Sequence, residues 1–168
     1  MDPLFRWIES TPLSVWTRES TSILAFPAIL SAHAIGMALA VGVNVALAIH
    51  LLGMAPGIPT RELRRFSPIM MFGFWLNAAS GAALLIAYPT KALTNPLFYV
   101  KLGLIGIAMS LSAAIDRRFV RPPQPRPPDE RSPRTARWLA VASLAAWAGA
   151  ITAGRLLAYT YRRLLVDF

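Results

Sequence analysis

The amino-acid sequence predicts an all-α integral membrane protein: a four-helix bundle with an N-terminal interfacial amphipathic segment. The chain of 168 residues is 55% hydrophobic and 15% charged, a composition that excludes an ordinary soluble domain. Between Ser20 and Thr60 there is no Asp, Glu, Lys or Arg. About 20 apolar residues are enough to cross a bilayer core of about 30 Å. This stretch therefore predicts a transmembrane helix, and similar apolar segments follow it.

The first segment, residues 1–20, precedes the apolar spans and mixes aromatic with charged side chains. Trp7 and Trp16 lie among residues such as Arg6 and Glu9. Tryptophan is favoured at the boundary between lipid tails and water. We therefore expect one or two short helices in the membrane interface, and the alternative is a loose polar terminus.

Four apolar segments follow, separated by loops that contain proline and arginine. The predicted spans are residues 21–54, 66–88, 96–115 and 136–161, with a Pro/Arg-rich linker over 116–135 and a C-terminal tail over 162–168. Ten arginines lie in the loop after the first span and in or beside the linker, against five basic residues on the other side, or seven with Lys101 and Arg155. Cytoplasmic loops are richer in Lys and Arg. The linker is therefore predicted to be cytoplasmic and both termini periplasmic, in a bacterial inner membrane.

Several chemistries are excluded by what the sequence lacks. Without cysteine there are no disulfides, thiolate metal sites, iron–sulfur clusters or covalently attached haem. No phosphate-binding loop, dinucleotide fingerprint, HExxH motif or serine nucleophile elbow occurs. We therefore expect no enzyme activity from this chain alone, and at most a redox-carrier role. The net charge of +9 comes from basic residues in loops, which favours membrane lipids and not nucleic acid as partners.

Each predicted span carries one polar side chain in its middle or outer part: His33, Asn77, Lys101 and Arg155. Ionisable groups at membrane depth are candidate functional residues, because hydrocarbon makes them costly. No acidic residue lies at comparable depth, so this set favours an anion or acceptor: a lipid headgroup, a haem propionate, a quinone carbonyl or a partner's carboxylate. The alternatives are that Lys101 and Arg155 extend to the headgroups and that Asn77 is a helix-packing contact.

His33 is the strongest candidate ligand because imidazole is too short to reach the interface from within a helix. Met37 follows one turn later on the same face. The pair favours haem b or a pigment held through His33, with Met37 as a second candidate cofactor ligand. Copper held by both residues is an alternative, and so is a structural hydrogen bond of His33. His50 lies about 25 Å further along the helix and on another face.

Short motifs resemble a family of small uncharacterised bacterial four-span membrane proteins, loosely similar to the membrane domain of copper-resistance D proteins. They cover nearly the whole chain and are Pro27 with His33 and Gly36, Asn95-Pro96 with Lys101, and Gly154-Arg155-Leu156 with Tyr159. That family's pattern has an acidic residue before the first-span histidine and a histidine closing the third span. The corresponding stretches of this chain are Ile29-Leu30-Ser31 and Ala114-Ile115-Asp116. The resemblance implies a fold and not an activity.

These observations favour an accessory, non-catalytic membrane subunit of a larger bacterial electron-transfer complex, respiratory or photosynthetic. The alternative is a small transporter or copper-handling protein that uses His33, Met37, Lys101 and Arg155 around a cavity. Other integral membrane subunits are the expected protein partners. Small-residue faces around Gly36–Ala40 and Ala145–Gly149 are predicted to be available to them, since small residues let helices approach closely in lipid.

Overall fold

The structure is a computed structural model that describes residues 3–55, 60–121 and 133–164. It confirms the all-α class and the four long apolar helices packed as a bundle, preceded by short N-terminal helices. The segments long and apolar enough to cross a membrane are Phe26–Leu51, Arg64–Ala87, Pro96–Val120 and Arg134–Leu157. The chain is therefore a multi-pass membrane protein.

Eight α-helices occur in the described ranges. They are α1 (Pro3–Glu9), α2 (Pro12–Glu19), α3 (Phe26–Leu51), α4 (Thr60–Leu63), α5 (Ser67–Ala87), α6 (Pro89–Leu93), α7 (Pro96–Ile115) and α8 (Pro133–Leu164). A 3₁₀ turn over Arg64–Phe66 leads into α5, and a π-helical turn over Asp116–Val120 extends α7. Helix α3 is shorter than the apolar segment 21–54, and α8 begins inside the stretch assigned to the linker. Most of that linker and the tail after Leu164 lie outside the described residues.

Proline and asparagine define where the long helices begin. Proline occupies the first or second position of α3, α5 and α7, where its missing N–H costs no helical hydrogen bond. Asn95 caps α7, because its side-chain oxygen accepts a hydrogen bond from the Leu97 N–H at 3.0 Å. At the other end of α3, Gly53 has a φ of +82°, the left-handed conformation that lets the chain leave a helix.

The long helices pack in the spatial order α5, α3, α8, α7. Between α3 and α5 the backbones meet at two glycines. A Cβ added to Gly36 would lie 2.5 Å from the Asn77 backbone nitrogen, and one added to Gly73 would lie 2.8 Å from the Ala40 nitrogen. Only glycine permits such an approach.

This packing corrects one expectation from the sequence. Gly36 is buried against α5, and Ala40 is buried with its nitrogen near Gly73 and its side chain in a cluster with residues of α7 and α8, so neither is available to a partner. A Cβ on Gly149 would lie 3.2 Å from a Leu104 methyl group, so this glycine also serves contact within the bundle, between α8 and α7. Gly36, Ala40 and Gly149 therefore serve contacts within the chain, whereas Ala145 is exposed, and its availability to a partner stays a prediction.

Helices α1 and α2 pack against the end of α5 and against α6. The Thr90 hydroxyl donates to a Glu9 carboxylate oxygen at 2.8 Å, and the Arg18 guanidinium donates to the Glu9 backbone oxygen at 2.8 Å. Trp7 and Trp16 remain 66% and 44% exposed. The segment is thus helical and docked, while its place in the membrane interface remains a prediction.

The two ends of the bundle carry different groups. We call the end with α1, α2 and α6 the terminal end, and the end with α4 and the π-helical turn the linker end. Within the described ranges, the ion pairs are Arg65–Glu62 at 3.4 Å and Arg121–Asp116 at 3.7 Å, both at the linker end. The candidate site lies toward the opposite end.

Candidate functional site

His33 is held against α5 by hydrogen bonds of one ring nitrogen. Its Nδ1 lies 3.0 Å from the Asn77 backbone oxygen and 3.2 Å from the Ser80 hydroxyl oxygen. A carbonyl oxygen only accepts, so Nδ1 carries the proton, and in the neutral ring Nε2 then keeps its lone pair. The Ser80 hydroxyl has a closer acceptor in the Leu76 backbone oxygen at 2.6 Å. Nε2 has no hydrogen-bond partner among the described residues.

The position of His33 follows from the glycine contact between α3 and α5. Because Gly36 and Gly73 bring the backbones together, the Asn77 side-chain nitrogen reaches the His33 backbone oxygen at 2.8 Å. One turn later on α5, a Cβ on Gly81 would lie 3.1 Å from His33 Cε1, so the ring lies directly on the backbone of α5. Of the two roles considered for Asn77, anion binding and helix packing, the structure shows a helix-packing contact. This contact also positions His33.

Two cavities meet at His33. The aromatic chamber, of about 390 Å³, lies between α3, α5, α6, α7 and α8. The α3/α8 groove, of about 600 Å³, is lined mainly by those two helices, with one residue from α7. Both volumes are in the range of about 300–1,000 Å³ typical of small-molecule sites. Leu30, His33, Lys101 and Gly154 line both cavities and thus form their common boundary.

The walls of the two cavities differ. Three aromatic side chains, Phe26, Tyr88 and Phe98, line the aromatic chamber. The groove is lined by small and aliphatic residues and by Met37 and Arg155. The aromatic chamber therefore suits a flat ring system, and the groove suits a flexible chain.

Both cavities are cationic. Lys101 lines both, Lys91 lines the aromatic chamber, and Arg155 lines the groove. The Lys101 stem lies across the backbone of α8, since a Cβ on Gly154 would be 3.5 Å from its Cε. No Asp or Glu of the described chain lines either cavity, and neither Lys101 nor Arg155 has a carboxylate partner there. The arrangement favours a ligand with negative charge.

The structure thus brings together four of the residues selected from the sequence, because His33, Met37, Lys101 and Arg155 all line the α3/α8 groove. Asn77 holds His33 in position through hydrogen bonds with its ring and its backbone oxygen. His50 lies apart, with its Nδ1 3.1 Å from the Ala55 backbone oxygen beyond the end of α3. Within the described residues, no three His, Cys, Asp or Glu side chains form a metal-binding group.

Sequence reasoning missed a second polar cluster, buried between α3, α7 and α8. Asn44 of α3 donates to the Ser143 hydroxyl of α8 at 3.2 Å and accepts from the Ser112 hydroxyl of α7 at 2.8 Å. All three side chains are fully buried. The missed signal was an asparagine inside an apolar segment, a residue type that hydrogen-bonds across helices in membranes.

Comparison of the chain with models of known protein families gives no match, and comparisons with curated proteins and with solved structures give none. No family is therefore assigned, and the fold and the site define only a structural class. The chain is a multi-pass membrane protein with four candidate spans, and a histidine and three basic side chains line its two described cavities.

Proposed function

We propose that this protein is a non-catalytic membrane subunit that holds a haem, or a related pigment, through His33 in the aromatic chamber. The observation that carries the proposal is the hydrogen bond from Nδ1 to the Asn77 backbone oxygen. A histidine that ligates a metal usually donates its other ring N–H to a carbonyl or carboxylate, which fixes the ring and raises the basicity of the ligating nitrogen. His33 has this arrangement, and the lone pair of Nε2 remains available to a metal.

The surroundings of His33 also fit a haem. Phe26, Tyr88 and Phe98 provide aromatic walls, and Lys101 and Lys91 provide positive charge for the propionates. Gly81 lets the imidazole lie against α5 with no side chain in between. A bound haem would supply one-electron transfer, while the residues of this chain would bind it, orient it and separate it from water.

The electron-transfer complex is the second part of the proposal. The sequence contains none of the catalytic motifs named above, so a haem bound here would exchange electrons with other subunits. Recovery from mild detergent together with an identified redox subunit would support this part. Recovery of the protein alone, with specific solute uptake in liposomes, would favour the transporter.

Absorption spectra of the purified protein titrated with haem test the ligand assignment. Wild-type protein should give a Soret band at one haem per chain, and His33→Ala should abolish it. His50→Ala is the matched control on the same helix and should leave the band intact. Loss of the band in both variants, or in neither, would contradict the assignment.

Copper is a second candidate ligand, favoured by one observation: Met37 and His33 line the same cavity. An imidazole nitrogen and a thioether suit Cu(I). Met37→Leu separates the two candidates, because Met37 lines the groove and not the aromatic chamber. The substitution should leave the Soret band unchanged if the ligand is haem, and should lower copper stoichiometry if the ligand is copper.

A further inference from the structure

We propose that the α3/α8 groove binds an anionic phospholipid, with its phosphodiester at Lys101 and Arg155 and an acyl chain along α3. This proposal goes beyond the haem proposal and does not depend on it: the two cavities share Lys101, but the groove is tested in haem-free protein. The evidence comes from charge, from the shape of the groove wall, and from the order of the groups along the membrane normal.

The charge of the groove selects an anion. Lys101 and Arg155 both line it, they have no carboxylate partner among the described residues, and no described acidic residue lines the groove. Arginine and lysine are the usual ligands of phosphate, arginine through parallel N–H bonds and lysine as a point charge. Basic pockets between transmembrane helices bind anionic headgroups in this way.

The α3 side of the groove is formed by small residues that leave room for an acyl chain. Ala34, Ala38 and Gly42 are exposed, line the groove and recur every four residues, so they form one row on the helix. A Cβ on Gly42 would meet nothing within 4 Å. The row is about 12 Å long and leaves an open channel, which an acyl chain from the surrounding membrane can fill.

The order of these groups matches the orientation of a lipid. Lys101 follows the start of α7 by about 7.5 Å, and its side chain lies beside Gly154, the residue before Arg155 on α8. Both are therefore toward the terminal end, where headgroups lie. From there the row runs along α3 from Ala34 to Gly42, toward the middle of the membrane. The occupant is thus a lipid of the leaflet at the terminal end.

Native mass spectrometry of haem-free protein tests this proposal directly. The protein, in mild detergent, is mixed with equal amounts of phosphatidylglycerol and phosphatidylcholine that have the same acyl chains. Wild-type protein should retain the anionic lipid preferentially. Arg155→Gln should lower that preference about ten-fold, the effect of losing one charge-assisted hydrogen bond. Arg137→Gln is the control on the same helix, exposed at the linker end, and should have no effect.

A second pair of variants tests the acyl-chain channel. Gly42→Leu fills the channel, and it should reduce retention of both lipids without disturbing the fold. Gly106→Leu is the matched control, because a Cβ there also meets nothing within 4 Å but Gly106 does not line the groove. Equal effects of the two leucines would overturn the proposal.

Two further results would also overturn it. Equal retention of the two lipids by wild-type protein would show that charge does not select the ligand. Displacement of phosphatidylglycerol by an equal concentration of inorganic phosphate would show that a free anion is bound and that the channel has no part. A missing Soret band has no bearing on these measurements, so failure of the haem proposal is distinguishable from failure of this one.

Discussion

The Asn44 cluster and the His33 cluster both place polar groups inside the membrane-spanning helices, but they differ in how their hydrogen bonds are completed. Asn44 has partners on two other helices, the Ser143 hydroxyl donates to the Ala140 carbonyl at 2.9 Å, and the Ser112 hydroxyl has the Ala108 carbonyl as a second acceptor at 2.8 Å. In the His33 cluster, which consists of His33, Lys101 and Arg155, the His33 Nε2 and the two basic side chains have no partner among the described residues. The first cluster is closed, and the second adjoins open cavities.

This difference distinguishes structural polar groups from candidate binding groups. A polar group in lipid must find a partner, since water is absent. Where the partners lie inside the bundle, the group contributes to stability and specificity of packing. Where a polar atom without a partner adjoins a cavity, that atom is available to a ligand bound in the cavity. Substitutions in the two clusters should therefore affect different measurements.

The largest effect is expected at the glycine contact between α3 and α5, because both the packing of the bundle and the orientation of His33 depend on it. In Gly36→Leu, the new Cβ would lie 2.5 Å from the Asn77 nitrogen, so the helices must separate. We expect a loss of about 3 kcal/mol or more in the free energy of unfolding, because backbone atoms cannot move aside as a side chain can. Unfolding in mixed micelles with increasing SDS measures this.

The control for this variant is Gly42→Leu, on the same helix and facing open space. It should unfold at the wild-type detergent fraction. Equal stability of the two variants would contradict the close approach of α3 and α5, and with it the orientation of His33.

The sequence was sufficient for the four spans, and four of the residues selected from it line one groove. Hydrophobic length alone predicts the transmembrane helices, and ionisable groups such as His33 and Lys101 stand out against an apolar background. The sequence was insufficient to predict which residues the small and the uncharged polar side chains contact. Whether Gly36 faces α5 or lipid, and whether Asn44 meets Ser112, depends on helix rotation, which an evenly apolar helix does not encode in its sequence pattern.

The second-largest effect is expected from the closed cluster. Asn44→Ala removes two interhelical hydrogen bonds and leaves a small cavity, so the free energy of unfolding should fall by about 1–3 kcal/mol. Ser112→Ala should have a smaller effect, which the same SDS titration can resolve. Lipid and haem binding should remain, because neither cavity is lined by these residues.

Ser110→Ala is the matched control for Ser112→Ala. Both serines bond to the carbonyl four residues earlier at 2.8 Å, but Ser110 is exposed and has no interhelical bond. Ser110→Ala should leave stability unchanged. If the two serine variants lose equal stability, the interhelical bond contributes nothing, and the contrast between the clusters fails.

A still smaller effect on stability is expected from His33→Ala in haem-free protein. The substitution removes hydrogen bonds to α5, and such bonds average about 0.6 kcal/mol in membrane proteins. We expect a loss of about 1 kcal/mol or less, together with complete loss of the Soret band on haem addition. A loss of stability as large as that of Asn44→Ala, with no change in ligand binding, would place His33 among the structural groups.

The smallest effect is expected at Trp147, which belongs to neither cluster. Its side chain is 4% exposed, and its indole N–H has no hydrogen-bond partner in the described part of the chain. Trp147→Phe removes a buried donor, whose desolvation costs about 1–3 kcal/mol, and it also removes ring atoms and leaves a cavity of similar cost. These terms oppose each other, so stability in SDS should change by about 1 kcal/mol or less.

Trp75→Phe, at a tryptophan that is 64% exposed, is the control for changing an indole that faces lipid. A loss of more than about 2 kcal/mol at Trp147 alone would mean that its N–H donates to a polar group, and that the bundle holds a third polar cluster to be set beside the other two.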